Sequence, residues 1–118
     1  MPRRRPSPCA DASRVAAIVA AIESDPSLSR VTELAAREDL HPRTLERLFR
    51  AHVGVSPKWV IRRFRVQEAA ERVQAGSPPD WSRFAADLGY FDQSHFIRDF
   101  TAQVGATPTD YVARCAQT

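Results

Sequence analysis

The 118-residue chain has only two cysteines, four glycines and one lysine among its 17 basic residues. Cys9 and Cys115 lie near opposite ends, at a spacing that matches neither a metal motif nor a redox Cys-x-x-Cys, so two reduced thiols are expected. No apolar run reaches membrane-spanning length. Met1 to Cys9 is basic, but no apolar stretch follows it directly, as a signal peptide would need. No stretch alternates as a strand does, and no glycine belongs to a phosphate-cradling loop. Asp and Glu are scattered over helical surfaces, and no nucleophile–His–acid set can be assembled, which argues against an enzyme. His41 and His52 lie far from His95 in the sequence, and no cysteine joins them, so no metal or other cofactor is expected.

What is present is charge, unevenly spread. From Arg30 to Arg65 there are nine basic residues against four acidic ones; from Asp80 to Arg114 there are three Arg against five Asp. The first stretch suits a polyanion, and the second does so only if its few arginines are well placed. Arginine offers a planar fork that matches phosphate oxygens and guanine edges.

Helical signals recur along the chain. Val15, Ile18, Val19 and Ile22 predict a helix over 13–23, which Asp25-Pro26-Ser27 ends. A short helix is expected over 31–38, then one over 42–53 with Pro42 in its first turn and Leu45, Leu48, Phe49 and Val53 inward. Ser56-Pro57 opens a helix reaching Gln74, about 28 Å at 1.5 Å per residue. Gly76-Ser77-Pro78-Pro79 breaks it. Helices over 81–88 (capped by Asp80), 93–104 (capped by Asp92) and 108–114 complete the expectation. The aromatic residues Phe49, Trp59, Trp81, Phe84, Phe96, Phe100 and Tyr111 are assigned to the core, whereas the turn could expose Tyr90 or Phe91.

The strongest signal is an internal repeat. Leu45-x-Arg47-x-Phe49, Val53-Gly54 and Pro57 return 51 residues later as Phe96-x-Arg98-x-Phe100, Val104-Gly105 and Pro108. The preceding alanine pairs, Ala35-Ala36 and Ala85-Ala86, are only 50 apart, so the second unit has one extra residue in its turn. Short helix, tight turn and longer amphipathic helix together make a helix-turn-helix. The fold class is therefore all-α, with seven helices in two helix-turn-helix subdomains, 13–55 and 76–118, joined by a long linker helix, 56–75. Residues 1–12 are expected to form a disordered basic arm.

These residues resemble the DNA-binding domain of the AraC/XylS family of bacterial transcription regulators. The specific part is Gly89-Tyr90-Phe91-Asp92-Gln93-Ser94-His95-Phe96-Ile97-Arg98-Asp99-Phe100, continuing to Gly105-x-x-Pro108-x-x-Tyr111. Leu45 to Phe49, Val53 to Pro57 and Arg65-x-x-x-Ala69 match the first motif and linker helix. The resemblance implies sequence-specific binding of double-stranded DNA for transcription regulation, through recognition helices 42–53 and 93–104 in the major groove. It sets Arg43, Thr44, Glu46, Arg47 and Arg50 of the first helix, and Gln93, Ser94, His95, Ile97 and Arg98 of the second, near DNA. It further implies RNA polymerase and a sensing or dimerisation domain outside this chain as partners, no membrane, and a place in the bacterial cytoplasm at the nucleoid. Asp39 stands where the first turn often has Gly, His41 replaces the usual Ser or Thr cap, and Glu46 a frequent Gln. Val60 replaces an aromatic residue, which neighbouring Trp59 could compensate.

Blander roles compete. Arg47 could pair with Glu46 or Glu38, Arg98 with Asp99 or Asp87, and His95 could pack on Tyr90 or Phe91. Arg50, Arg62 and Arg63 suit phosphate or solvent better than bases. The alternative function is a helical protein–protein interaction module without DNA binding, marked by an apolar outer face on 42–53 or 93–104.

Overall fold

The computed structural model describes residues 8–117; most of the basic arm, 1–7, lies outside the described residues. Among the described residues the fold is all-α, with seven helices: α1 (Pro8–Ser24), α2 (Val31–Arg37), α3 (Pro42–His52), α4 (Pro57–Gln74), α5 (Trp81–Asp87), α6 (Gln93–Val104) and α7 (Pro108–Ala116). α1 opens five residues before the expected Ser13, so residues 8–12 are helix rather than arm. Asp11 lies in the first turn, where its charge complements the helix dipole. The other boundaries fall within two residues of expectation. The chain divides into two compact units at Ile61/Arg62, inside α4.

In the first unit Val15, Ile18 and Ile22 of α1 are buried, with Leu34 and Ala35 of α2 and Leu45, Leu48 and Phe49 of α3. α1 stops because Pro26 cannot continue it and Asp25 turns the chain: its Oδ1 accepts from the Ser27 amide at 3.0 Å and the Ser27 hydroxyl at 2.6 Å. The turn drops Leu28 into the core, and Arg37 of α2 reaches back to pair with Asp25.

α2 ends in a Schellman motif. The Leu40 amide donates to the Ala35 carbonyl (2.9 Å), the Asp39 amide donates to Ala36 (3.2 Å), and Asp39 takes φ +52°. Arg14 Nη2 donates to the Glu38 carbonyl at 2.8 Å, satisfying another acceptor at that helix end.

The second unit repeats this plan, with α4 in the place of α1. Val66, Ala69 and Val73 are buried like Val15, Ile18 and Ile22, each 51 residues on. α5 ends as α2 does: the Tyr90 amide donates to Ala85 (3.1 Å), Gly89 donates to Ala86 (3.0 Å), and Gly89 takes φ +74°. The core here is aromatic. Trp81 lies 5.8 Å from Phe96 and 5.3 Å from Phe100, ring centre to ring centre, and Phe100 lies 6.2 Å from Tyr111. Tyr111 accepts a hydrogen bond from Gln74 Nε2 at 2.7 Å, which ties α7 to the end of α4. Arg65 is buried at 3% exposure, and its Nε pairs with Glu68 at 2.9 Å.

Two core assignments are corrected. Val53, expected inward, is 38% exposed and caps the C-terminal end of α3, one residue past the helix. Trp59 is 49% exposed, while Val60 and Ile61 are buried at 5% and 1%. One helical step rotates a side chain by about 100°, so the register that turns Val60 and Ile61 inward turns Trp59 out. Val60 itself fills the site where an aromatic residue was anticipated.

Candidate nucleic-acid interface

The two helices expected to read DNA each begin on a cap that fixes their first turn. In α3 the cap is His41, whose Nδ1 accepts from the Arg43 amide at 3.1 Å. Asp92 Oδ1 caps α6, accepting from the His95 amide at 2.8 Å. The histidine therefore does the work of the missing Ser or Thr. It does so only with its proton on Nε2, because a protonated Nδ1 has no lone pair to give.

With Leu45, Leu48 and Phe49 turned inward, Arg43, Arg47 and Arg50 are exposed at i, i+4, i+7 spacing, so they share one face. Thr44 and Glu46 are half-buried beside them. Glu46 pairs with Arg50 at 3.3 Å. Arg47 pairs with neither Glu46 nor Glu38; among the described residues neither it nor Arg43 has a polar partner for its guanidinium.

On α6, Phe96 and Phe100 point inward, leaving Gln93, Ser94 and Arg98 exposed and His95 and Ile97 half-buried. Arg98 has no partner among the described residues. Of its two possible mates, Asp87 lies 4.0 Å from Arg83 and Asp99 lies 3.8 Å from His95 Nε2. The His95 ring also packs edge-on against Tyr90, with centres 5.1 Å apart. His95 thus serves the turn as well as the surface and is the least free of the ten predicted residues.

Arg62 has a different task from the one its sequence position suggested. It does not point idly to solvent: its Nη2 donates to the Gly89 carbonyl at 2.8 Å and its Nε to Leu88 at 3.3 Å. Its guanidinium carbon lies 3.9 Å from the centre of the Tyr90 ring. Acceptors at the end of α5 would otherwise need water, and the ring face attracts the cation. Arg62 therefore holds the turn that launches α6. Arg14 performs the same service for α2, but the two side chains are one helical turn out of step in the repeat, so the duplication did not point to Arg62. Tyr90 is buried, and burial, followed by the nearby Asp99 carboxylate, pushes its hydroxyl above the ordinary range. It stays a neutral wedge.

Among the described residues no group of three or more His, Cys, Asp or Glu could hold a metal ion, and no helix is long and apolar enough to cross a membrane.

Comparison with known proteins agrees with this geometry. A family model described as a helix-turn-helix domain matches residues 34–114. The transcriptional activator RhaR of Yersinia pseudotuberculosis is 35% identical over 78 residues, covering 66% of this chain and 27% of RhaR. An AraC-like transcription regulator of Streptomyces antibioticus is 32% identical over 98 residues, covering 82% of this chain and 32% of that protein. The chain thus spans between a quarter and a third of these relatives. Two solved structures share the fold, each at 23% identity and TM-score 0.61. One is the C-terminal domain of the response regulator AraT from Geobacillus stearothermophilus, with 94% of this chain and 88% of that one covered. The other is a DNA-binding transcriptional dual regulator from Escherichia coli K-12, covered completely on both sides. The family match extends over both turns and both candidate reading helices, and on that basis the chain belongs to the AraC/XylS-type helix-turn-helix family of transcription regulators, not to an enzyme family.

Proposed function

We propose that the chain binds double-stranded DNA in a sequence-dependent way, with the N-terminal halves of α3 and α6 in the major groove. The observation that carries this reading is the set of outward arginines, Arg43 and Arg47 on α3 and Arg98 on α6, whose guanidinium groups lack polar partners among the described residues. A charged fork kept free of carboxylates on a capped, rigid helix suits phosphate oxygens or guanine N7 and O6. Thr44, Glu46, Gln93, Ser94, His95 and Ile97 surround these arginines and supply the finer selection. Glu46 accepts from cytosine N4 and disfavours guanine edges, while Arg50, tethered to it, serves the backbone. The outer faces of α3 and α6 are polar, which weighs against a purely protein-binding module. RNA polymerase, a sensing or dimerisation domain elsewhere in a longer protein, and action at the bacterial nucleoid belong to the same proposal.

Arg43→Ala and Arg98→Ala, assayed on a selected duplex and on a random one, provide the test. Each should lose about 1–3 kcal/mol on the selected duplex and less on the random one. Wild-type affinity of both variants on both duplexes would defeat the assignment.

A further inference from the structure

The repeat has one residue too many in its second turn, and the structure identifies it. The Schellman bonds make Leu40 and Tyr90 equivalent, since their amides donate to Ala35 and Ala85. The caps make His41 and Asp92 equivalent. Leu40 is followed at once by its cap, whereas Phe91 stands between Tyr90 and Asp92. Phe91 is thus the inserted residue, and it is 94% exposed, the most exposed large apolar side chain among those described.

Its position usually has another use. A hydrophobic residue just before the cap packs on the fourth helical residue as a staple. That residue is Phe96, which is fully buried, and the exposed Phe91 ring does not cover it. Nor is Phe91 in a loose loop. On one side Tyr90 is fixed by its amide bond and by Arg62 over its ring; on the other, Asp92 is fixed by the His95 amide. The backbone holds the ring out, two and three residues before Gln93 and Ser94, which are also exposed.

We propose that Phe91 is a specificity-determining residue that meets a thymine 5-methyl group at the edge of the α6 site. This rests on the groove reading of α6. Residues 91–94 are an unbroken exposed run leading into α6. An aromatic ring gains little from a phosphate, and the adjoining Asp92 carboxylate repels one, so the complementary feature of duplex DNA is the apolar methyl of thymine. The insertion gives the second unit an apolar reader that the first lacks.

Selection of duplexes from a random library with the wild-type chain, Phe91→Ala and Arg98→Ala tests this. Phe91→Ala should melt like the wild type, lose one thymine preference and bind the selected duplex 5–20-fold more weakly, about 1–2 kcal/mol. Replacing that thymine with deoxyuridine, which lacks only the methyl, should weaken the wild type several-fold and leave Phe91→Ala unchanged. If Arg98→Ala weakens binding while Phe91→Ala selects the same sequences at the same affinity, the proposal falls and the groove reading stands; the ring would then belong to a protein contact. If the wild type selects no sequence, the groove reading falls and takes the proposal with it.

Discussion

In the first unit the turn before the recognition helix closes on Asp39 at positive φ, a histidine cap and one arginine bond from α1. In the second it closes on Gly89, an aspartate cap, two arginine bonds from α4 and an aromatic ring under the same guanidinium. One backbone plan has been finished in two ways. The first unit spends few groups on its turn and carries more free cationic charge on its outward helix. The second has a more elaborate turn and presents amide, hydroxyl and aromatic groups with a single free arginine. Under the proposed DNA reading, this difference gives unit one the larger free cationic charge and unit two the more varied set of polar and aromatic groups.

The sharpest way to break this comparison is to strip each helix of its free arginines. The double variant Arg43→Ala/Arg47→Ala should cost about 2–4 kcal/mol of DNA affinity, and Arg98→Ala about 1–2 kcal/mol. If the first pair holds phosphates, its loss should also flatten the dependence of log affinity on log salt by about two. A titration series at several salt concentrations decides it; a larger loss from Arg98→Ala would invert the assignment.

The turns come next. Arg62→Met removes two charge-assisted hydrogen bonds and a cation–ring contact, about 2–3 kcal/mol, while Arg14→Ala removes one exposed bond, about 0.5–1 kcal/mol. Amide hydrogen exchange in the full chain should show faster opening around 88–92 in the first variant and a smaller change around 38–41 in the second. The caps should differ less. Asp92→Ala is expected to cost about 1 kcal/mol and His41→Ala about half of that, measured by thermal unfolding.

The smallest effect concerns pH. The Asp25 carboxyl sits at about 2, below its ordinary 3.8, because the Ser27 hydroxyl and then Arg37 hydrogen-bond to its charged form. A folded-state value below the unfolded one stabilises the fold above about pH 4, and that contribution fades as pH falls from there toward 2. The first unit should therefore open preferentially in this window. Residue-resolved exchange should show this, and Asp25→Asn should reduce the preference.

The inward and outward faces of α3 and α6 were legible because spacing encodes them: Leu45, Leu48 and Phe49, like Phe96 and Phe100, fix which face is inward. The assignment of ten residues on these helices to DNA came instead from the family resemblance and belongs to the proposed function. The caps at Asp80 and Asp92 were equally readable, since a short side-chain oxygen before a helix has one local use. Trp59 was misread because apolar character alone does not set register: the helix had to choose between neighbouring side chains, and packing chose Val60 and Ile61. Arg62 was misread because its partners are backbone carbonyls 26 and 27 residues away, which no side-chain pattern reveals.

Local and periodic information in the chain thus determined the helices, their ends, the duplication and the existence of one surplus residue between Ala85-Ala86 and Phe96. Those features depend on side chains a few positions apart, or on a comparison of the chain with itself. Tertiary structure decided which arginines are spoken for and which are free, and that the surplus residue is an outward Phe91 rather than a buried one. Both depend on what lies across the turn in space, where helices distant in sequence bring their donors and acceptors together.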